Sequence, residues 1–110
     1  MNAGSLYLFK DRKVFNINFI EGNKWEMNSV RNGNNVVSVY QHKDDLYLVK
    51  SKGIHKIVNG TVSSSLISSS PEEDSKRDFV DMSIDNGFMY ILCRIEGIYL
   101  IDMINNYQIV

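Results

Sequence analysis

The chain is poor in the residues on which most catalytic and metal sites depend. Its 110 residues include one cysteine, one proline, one tryptophan and two histidines. A single thiol cannot close an internal disulfide, so we expect a reducing compartment, the cytoplasm. The thiol, Cys93, lies in an apolar strand-like run, where we expect a small buried hydrophobic residue.

The polar inventory predicts no catalytic residue, no metal and no cofactor. His42 and His55 fall in different predicted strands, and neither has a second histidine or a cysteine at ligand spacing. Walker, dinucleotide-binding and nucleophile-elbow motifs are absent. Asp44-Asp45 falls in a predicted turn and the acidic run 72–74 in a predicted loop, where solvated charge is the ordinary interpretation. A sugar-active enzyme using a pair of carboxylates therefore ranks third among the functional hypotheses.

Charge and hydropathy give no reason to expect a membrane partner. The net charge is −1, so the protein as a whole is not drawn to nucleic acid or to anionic lipid. No apolar run reaches the roughly 18–20 residues of a membrane-spanning helix. Apolar residues make up 44% of the chain and charged residues 23%, which is typical of a globular domain.

What the chain does have is a repeated pair of apolar strands. The three copies of this pair lie at residues 6–17, 46–57 and 89–101. Their first strands carry Tyr7, Tyr47 and Tyr90, which are 40 and then 43 residues apart. A period of this size indicates a repeat architecture, in which a unit must stack on a copy to bury its apolar faces.

Turn chemistry predicts a meander of about eleven short strands. Asn-Gly, the strongest short hairpin signal, occurs at 32–33, 59–60 and 86–87. The predicted strands lie near 5–10, 13–20, 25–30, 36–42, 46–50, 54–58, 61–67, 79–84, 88–94, 98–104 and 107–110. They form units of up to four strands, whose positions we name A to D; the repeated pair occupies B and C, and the first unit lacks A. We therefore expect one all-β domain over 1–110, with repeat units at about 5–30, 36–70 and 79–110.

The pattern within each strand predicts its surroundings. The B strands are apolar on both faces, so we expect them between two layers. The strand at 15–19 alternates, and we expect its Phe and Ile residues to face the core and its Asn residues to face solvent. The serine-rich tract 63–70 is typical of an outer edge that runs into a solvated loop at 71–78.

The last unit carries the most regular version of the repeat. It runs from Val80 to Leu92 and then from Gly97 to Asp102. These segments resemble the LVIVD-type repeat of β-propellers, whose pattern is V-x-V-x-G-x-x-A-Y-V, a short turn, then G-L-x-I-I-D. The unit at 37–57 is a looser version, and the first is looser still, with Lys13 where the others carry glycine. The resemblance covers about two thirds of the chain and implies a four-stranded blade for each unit.

The implied assembly is incomplete, because a closed propeller needs four to eight blades and this chain has three partial ones. Three arrangements follow. Two chains could pair into one six-bladed ring, the chain could be a fragment of a longer propeller, or the units could form an open stack or a barrel-like sandwich. Since an exposed apolar outer face would be a liability, we predict self-association as a homodimer.

Basic residues gather in the turns between strands B and C. These turns contain Lys10, Arg12 and Lys13 in the first unit, Lys50 and Lys52 in the second, and Arg94 in the third. Units stacked side by side would align the turns and create a local cationic stripe. Lys and Arg are common in exposed turns, however, and Asp11 and Glu96 dilute the stripe. Trp25, in the predicted D strand of the first unit, is an interface anchor if exposed and a core residue if buried.

These features predict a non-enzymatic binding module, an adaptor or an inhibitor, whose loops meet a macromolecular partner. The partner expected first is a protein, and nucleic acid or a ribonucleoprotein comes second. Small inhibitors carried by phages or mobile elements, including anti-CRISPR proteins, are one class of this kind. The alternative is a structural portion of a larger or oligomeric β-propeller sensor.

Overall fold

Twelve short strands make up three sheets in a computed structural model that describes residues 6–68 and 78–110. All the strand pairs are antiparallel, and no helix occurs in those ranges, so the prediction of an all-β meander is confirmed. None of the three sheets closes into a barrel or a propeller. The described part of the chain contains no helix long and apolar enough to cross a membrane.

Each sheet follows the chain order of its strands. The first sheet contains β1 (Leu6–Lys10), β2 (Lys13–Glu21) and β3 (Lys24–Ser29). The second contains β4 (Ser38–His42), β5 (Asp45–Lys50), β6 (Gly53–Val58), β7 (Thr61–Val62) and β8 (Ile67–Ser68). The third contains β9 (Phe79–Asp85), β10 (Phe88–Cys93), β11 (Gly97–Asp102) and β12 (Gln108–Ile109). Position A is absent from the first sheet, as the repeat predicts.

Two Asn-Gly pairs make the tight hairpins that the sequence predicts. Asn59 and Gly60 have φ of 52° and 78° between β6 and β7, and Asn86 and Gly87 have φ of 51° and 80° between β9 and β10. Positive φ at both central residues defines the type I′ turn, whose twist matches that of the flanking strands. Asn59-Gly60 therefore serves as a turn.

The D position of the second sheet differs from the prediction of one strand at 61–67. Two short strands, β7 and β8, both pair with β6, and they raise the total from eleven to twelve. Between them Ser63 N donates to Lys56 O at 2.8 Å, and Leu66 N donates to Ile54 O at 2.7 Å. Residues 69–77, which include the end of the serine tract and the predicted loop, lie outside the described residues.

The second sheet lies between the other two, and each of its faces is part of a separate core. Toward the first sheet the buried residues are Val14, Val30, Val36, Leu48, Ile57 and Val62. Toward the third they are Tyr47, Val49, Ile54, Phe79, Met82, Ile84, Met89, Ile91, Cys93 and Ile101. Burial of Cys93 is confirmed, and it raises the pKa of the thiol, as does the nearby Glu96.

The prediction that every B strand lies between two layers holds only for β5. Its three central residues, Tyr47, Leu48 and Val49, are all buried. In β1 and β10 one face packs on the second sheet and the other is exposed. The reason is that the first and third sheets each have a single neighbouring sheet.

The predicted orientation of β2 is wrong. Val14 packs into the core against the second sheet, and alternation along the strand puts Asn16 and Asn18 on that same face. Phe15, Ile17 and Phe19 therefore point away from the second sheet. The apolar side of β2 faces outward because the neighbouring sheet, and not the local pattern, decides which face is covered.

Replacing Phe79 by alanine is expected to lower the free energy of unfolding by about 3–5 kcal/mol. Phe79 is fully buried between the second and third sheets, edge-on to Tyr99 at 6.2 Å between ring centroids. Urea unfolding followed by circular dichroism measures the loss. The control is Ile104→Ala at an exposed turn position, expected to change stability by less than about 0.5 kcal/mol. Equal losses in the two variants would contradict the assigned core.

Stability is expected to fall above about pH 10 because of Tyr47. Burial, with Tyr107 and Asp45 nearby, raises the pKa of Tyr47 to about 12. The unfolded phenol ionises at its ordinary pKa of about 10. Between these values the native state keeps a proton that the unfolded state has lost. The contribution of Tyr47 to the free energy of unfolding is therefore fully present below pH 10 and declines toward pH 12. Urea midpoints should fall less steeply over this range in Tyr47→Phe; an unchanged slope would show that another group is responsible.

Candidate functional site

Backbone hydrogen bonds hold the three B–C turns along one edge of the stacked sheets, which we call the rim. Val36 N donates to Arg12 O at 2.9 Å, and Phe79 N donates to Ser51 O at 2.9 Å. The turn of each sheet is thus tied to the segment that begins the next one. Arg94 N donates to Asp78 O at 2.8 Å, so the second and third turns meet where the third sheet starts.

The two lysines of the second turn are used inside the fold. Lys50 Nζ donates to Asn32 O at 2.8 Å, and burial lowers the pKa of this lysine. Lys52 Nζ lies 2.7 Å from Asp78 Oδ1 in an ion pair. Because both ammonium groups already have partners in this chain, a ligand would have to displace those contacts to use them.

The first turn carries a cluster of exposed cations. Lys10 and Lys13 form the last cross-strand pair of the β1–β2 hairpin, and Arg12 lies at its tip. No ion pair to these side chains forms within the described ranges 6–68 and 78–110, and Asp11 is the acid among them. Positive charge in the predicted set is therefore concentrated on the first sheet.

Arg31 joins this cluster through the fold. The preceding residue, Val30, donates its N–H to Val14 O at 3.1 Å, and Val14 N donates to Gly33 O at 2.8 Å. These bonds lay the segment after β3 across the start of β2, beside Lys13. Arg31 lies outside the B–C turns, so the repeat pattern does not predict it; its position directly before the Asn32-Gly33 turn is the sequence signal that marks it. We call Lys10, Arg12, Lys13 and Arg31 the basic cluster.

The backbone of the first turn is strained at the arginine. Asp11 and Arg12 both have positive φ, 53° and 64°, in a turn that contains no glycine. The left-handed conformation costs roughly 1 kcal/mol for most residues other than Gly, Asn and Asp. Lys43, between β4 and β5, has the same conformation with φ of 56°, so strain alone does not assign a role to the Arg12 side chain.

Arg94 and Trp25 lie apart from the basic cluster. Arg94 is exposed in the turn of the third sheet, at the other end of the stack. Trp25 lies on the outer face of the first sheet, 60% exposed, with its ring edge-on to Phe19 at 5.1 Å between centroids. Because β2 runs from Lys13 at the rim to Phe19 beside Trp25, the indole lies roughly 20 Å from the rim. The predicted residues thus lie in four places, which are the first turn, the inner contacts of the second turn, the third turn, and the outer face of the first sheet.

A cleft of about 650 Å³ separates β1 from the second sheet. The cleft is open because the first sheet lacks an A strand. In the third sheet the A strand, β9, packs along β4, and Tyr40 Oη donates to Ile84 O at 3.3 Å. The first sheet has no corresponding strand to pack along β4. The lining includes Tyr7, Phe9, Val39, Leu46, Asp44 and Asp45. Glycoside hydrolysis needs carboxyl groups on both sides of the scissile bond, whereas the two that line this cleft are neighbours at the end of one turn. Among the described residues no group of three or more side chains is arranged to hold a metal ion.

No protein-family model, no curated protein and no solved structure matches this chain.

Removing the Lys50 ammonium is expected to weaken the fold. Lys50→Met keeps the apolar stem but loses the hydrogen bond to Asn32 O, at a cost of about 1 kcal/mol. Thermal unfolding measures the loss, and Lys24→Met, at the exposed first position of β3, is the matched control. A Lys50→Met protein as stable as this control would show that the contact contributes nothing.

Proposed function

We propose that the chain is a non-enzymatic protein-binding module, an adaptor or an inhibitor, which holds an acidic surface of its partner on the basic cluster. The observation that carries this proposal is the set of four exposed cations, Lys10, Arg12, Lys13 and Arg31, gathered on one sheet end. Opposite charges at an interface speed encounter and fix orientation. Arginine is also enriched at protein interfaces, and the cluster contains two.

A protein partner is favoured over nucleic acid by the charge of the rest of the molecule. The net charge is −1, so no broad positive field surrounds the cluster. Proteins that bind nucleic acid normally spread basic residues over a whole face or helix, because their affinity depends on many phosphate contacts. Four cations at one turn suit a small acidic patch on a folded partner better.

A second candidate function is a structural role in a larger or oligomeric β-propeller. The support for it is the strand order of the second and third sheets, an A-to-D meander, together with the uncovered apolar faces at both ends of the stack. In that case the resemblance to LVIVD-type blades describes the architecture, and any binding activity belongs to the complete assembly.

Reversing two charges of the cluster is expected to abolish partner binding. The variant is Arg12→Glu with Arg31→Glu, and the control is Lys24→Glu with Lys43→Glu, which changes the net charge equally at exposed positions away from the basic cluster. Each protein is immobilised and used to capture partners from native cells, with quantitative mass spectrometry. A captured protein is then purified, and its affinity is measured by calorimetry at two salt concentrations.

The expected result is a partner retained by the wild type and the control, lost by the cluster variant, and bound at least tenfold more weakly at high salt. Equal capture by both variants would overturn the proposal. Fluorescent duplex and single-stranded DNA serve as direct probes of the alternative. Tight, strongly salt-dependent binding to either, with no protein captured, would replace the protein partner by nucleic acid.

Arg12→Gly separates the stability of the turn from its function. Glycine adopts the left-handed conformation without steric cost, so the variant is expected to be as stable as the wild type or up to about 1 kcal/mol more stable. Its affinity for the captured partner should nevertheless fall severalfold, since the guanidinium is gone. Chemical unfolding and calorimetry give the two values. Unchanged affinity would remove Arg12 from the binding surface.

A further inference from the structure

Equivalent residues of the three repeats point in the same direction along the stack. We call the face of a sheet that looks toward the next sheet its leading face, and the opposite one its trailing face. Tyr7 packs on the core between the first and second sheets, and Tyr47 is buried in the core between the second and third. Both are on leading faces. Tyr90, the third member, has no following sheet and is 38% exposed.

The trailing faces follow the same rule. Leu48 of β5 is fully buried against the first sheet, and Met89 and Ile91 of β10 are fully buried against the second. The equivalent residues of β1 are Leu6 and Leu8, which have no preceding sheet and are exposed. The chain therefore builds the same interface twice, with a leading face against a trailing face each time.

At each end of the stack one face of this kind has no sheet packed against it. The trailing face of the first sheet carries Leu6, Leu8, Phe15, Ile17, Phe19, Trp25 and Met27. The leading face of the third sheet carries Phe88, Tyr90, Leu92, Ile98 and Leu100 on β10 and β11, beside the polar Asp81, Ser83 and Asp85 on the edge strand β9. Continuous apolar surfaces of this kind mark interaction sites. The second sheet separates the two faces, so they cannot cover each other within one chain.

We propose that two copies of this chain close into a ring of six sheets, in which the leading face of each third sheet packs on the trailing face of the other copy's first sheet. The ring repeats between chains the packing that the chain already uses within itself. Two equivalent contacts related by a two-fold axis leave neither face uncovered, which is the condition for a closed assembly.

The size of the faces is sufficient for a stable dimer. Three strands of about six paired residues present a face of roughly 14 by 20 Å. Two such contacts bury on the order of 1,200 Å² in total, the lower end of the range for specific interfaces. Large apolar side chains occupy the β10 and β11 part of the leading face and most of the trailing face, where Trp25 and Phe19 add the aromatic anchor that such interfaces commonly contain.

The test starts from the mass of the full chain in solution. Light scattering at tens of micromolar should give about 25 kDa, twice the 12.6 kDa of one chain. Trp25 is the only tryptophan, so its emission should shift to longer wavelength on dilution as the dimer dissociates. A single-chain mass at that concentration, or a mass that keeps rising with concentration as in an open filament, would overturn the proposal.

Substitutions on each face distinguish this contact from other dimers. Trp25→Lys on the trailing face and Ile98→Lys on the leading face should each give monomers with an unchanged circular dichroism spectrum, since both side chains are exposed in one copy. Ile104→Lys, at an exposed turn outside both faces, is the control and should remain dimeric. A dimer that Trp25→Lys disrupts and Ile98→Lys does not would mean that two first sheets pair with each other, contrary to the proposal.

Disulfide trapping tests the register directly. Val14 is the counterpart of Ile98, and Leu48 is the counterpart of Leu8. Because Val14 and Leu48 share one core, Ile98 of one copy should contact Leu8 of the other. In a Cys93→Ala background, a mixture of Leu8→Cys and Ile98→Cys proteins should crosslink at least tenfold faster than either protein alone. Faster crosslinking within either single variant would overturn the ring. Arg12→Glu with Arg31→Glu should leave the mass unchanged, so this test is independent of the partner proposed for the basic cluster.

Discussion

The second sheet must be covered on both sides, and the rest of the structure follows from this constraint. Its central strand β5 has apolar residues pointing both ways, and burying them requires one sheet on each face. The first and third sheets supply that cover, and each contributes one face to a core. In doing so each leaves the apolar residues of its other face without a neighbouring sheet. The stability of the middle of the molecule and the exposure of its ends thus have the same origin.

The rim depends on this stacking. Because a backbone donor at the start of each new sheet binds the B–C turn of the sheet before it, the turns come to lie along one edge. The same close packing gives some of the charged side chains partners within the chain, since Lys50 and Lys52 contact the segments that join the sheets. The first turn has no preceding sheet and its cations stay exposed. The basic cluster therefore results from the missing preceding sheet together with the larger number of basic residues in the first turn.

The sequence could predict those features of the fold that depend on short segments alone. The period of the tyrosines, the Asn-Gly turns and the missing A strand are all properties of short segments, and they describe the three sheets closely. The direction in which Phe15 and Ile17 point was not predictable in this way, because both faces of β2 are plausible until the neighbouring sheet is placed. The inner partners of Lys50 and Lys52 and the position of Arg31 likewise depend on contacts between distant segments. In each case the local sequence does not determine which distant segment packs against the residue.

The two proposed surfaces are compatible, and their combination has a consequence for affinity. A two-fold ring that continues the internal stacking keeps every B–C turn on the same side, because rotation about the ring axis does not invert that side. The two basic clusters then face the same way, on opposite halves of the ring. A partner with two acidic patches at matching spacing would bind both clusters, and its second contact would form at a high effective concentration. Four cations are too few for strong binding at physiological salt, where each exposed pair contributes little. Duplication by the ring thus provides a physical route by which a small, nearly neutral chain gains useful affinity from a small basic cluster.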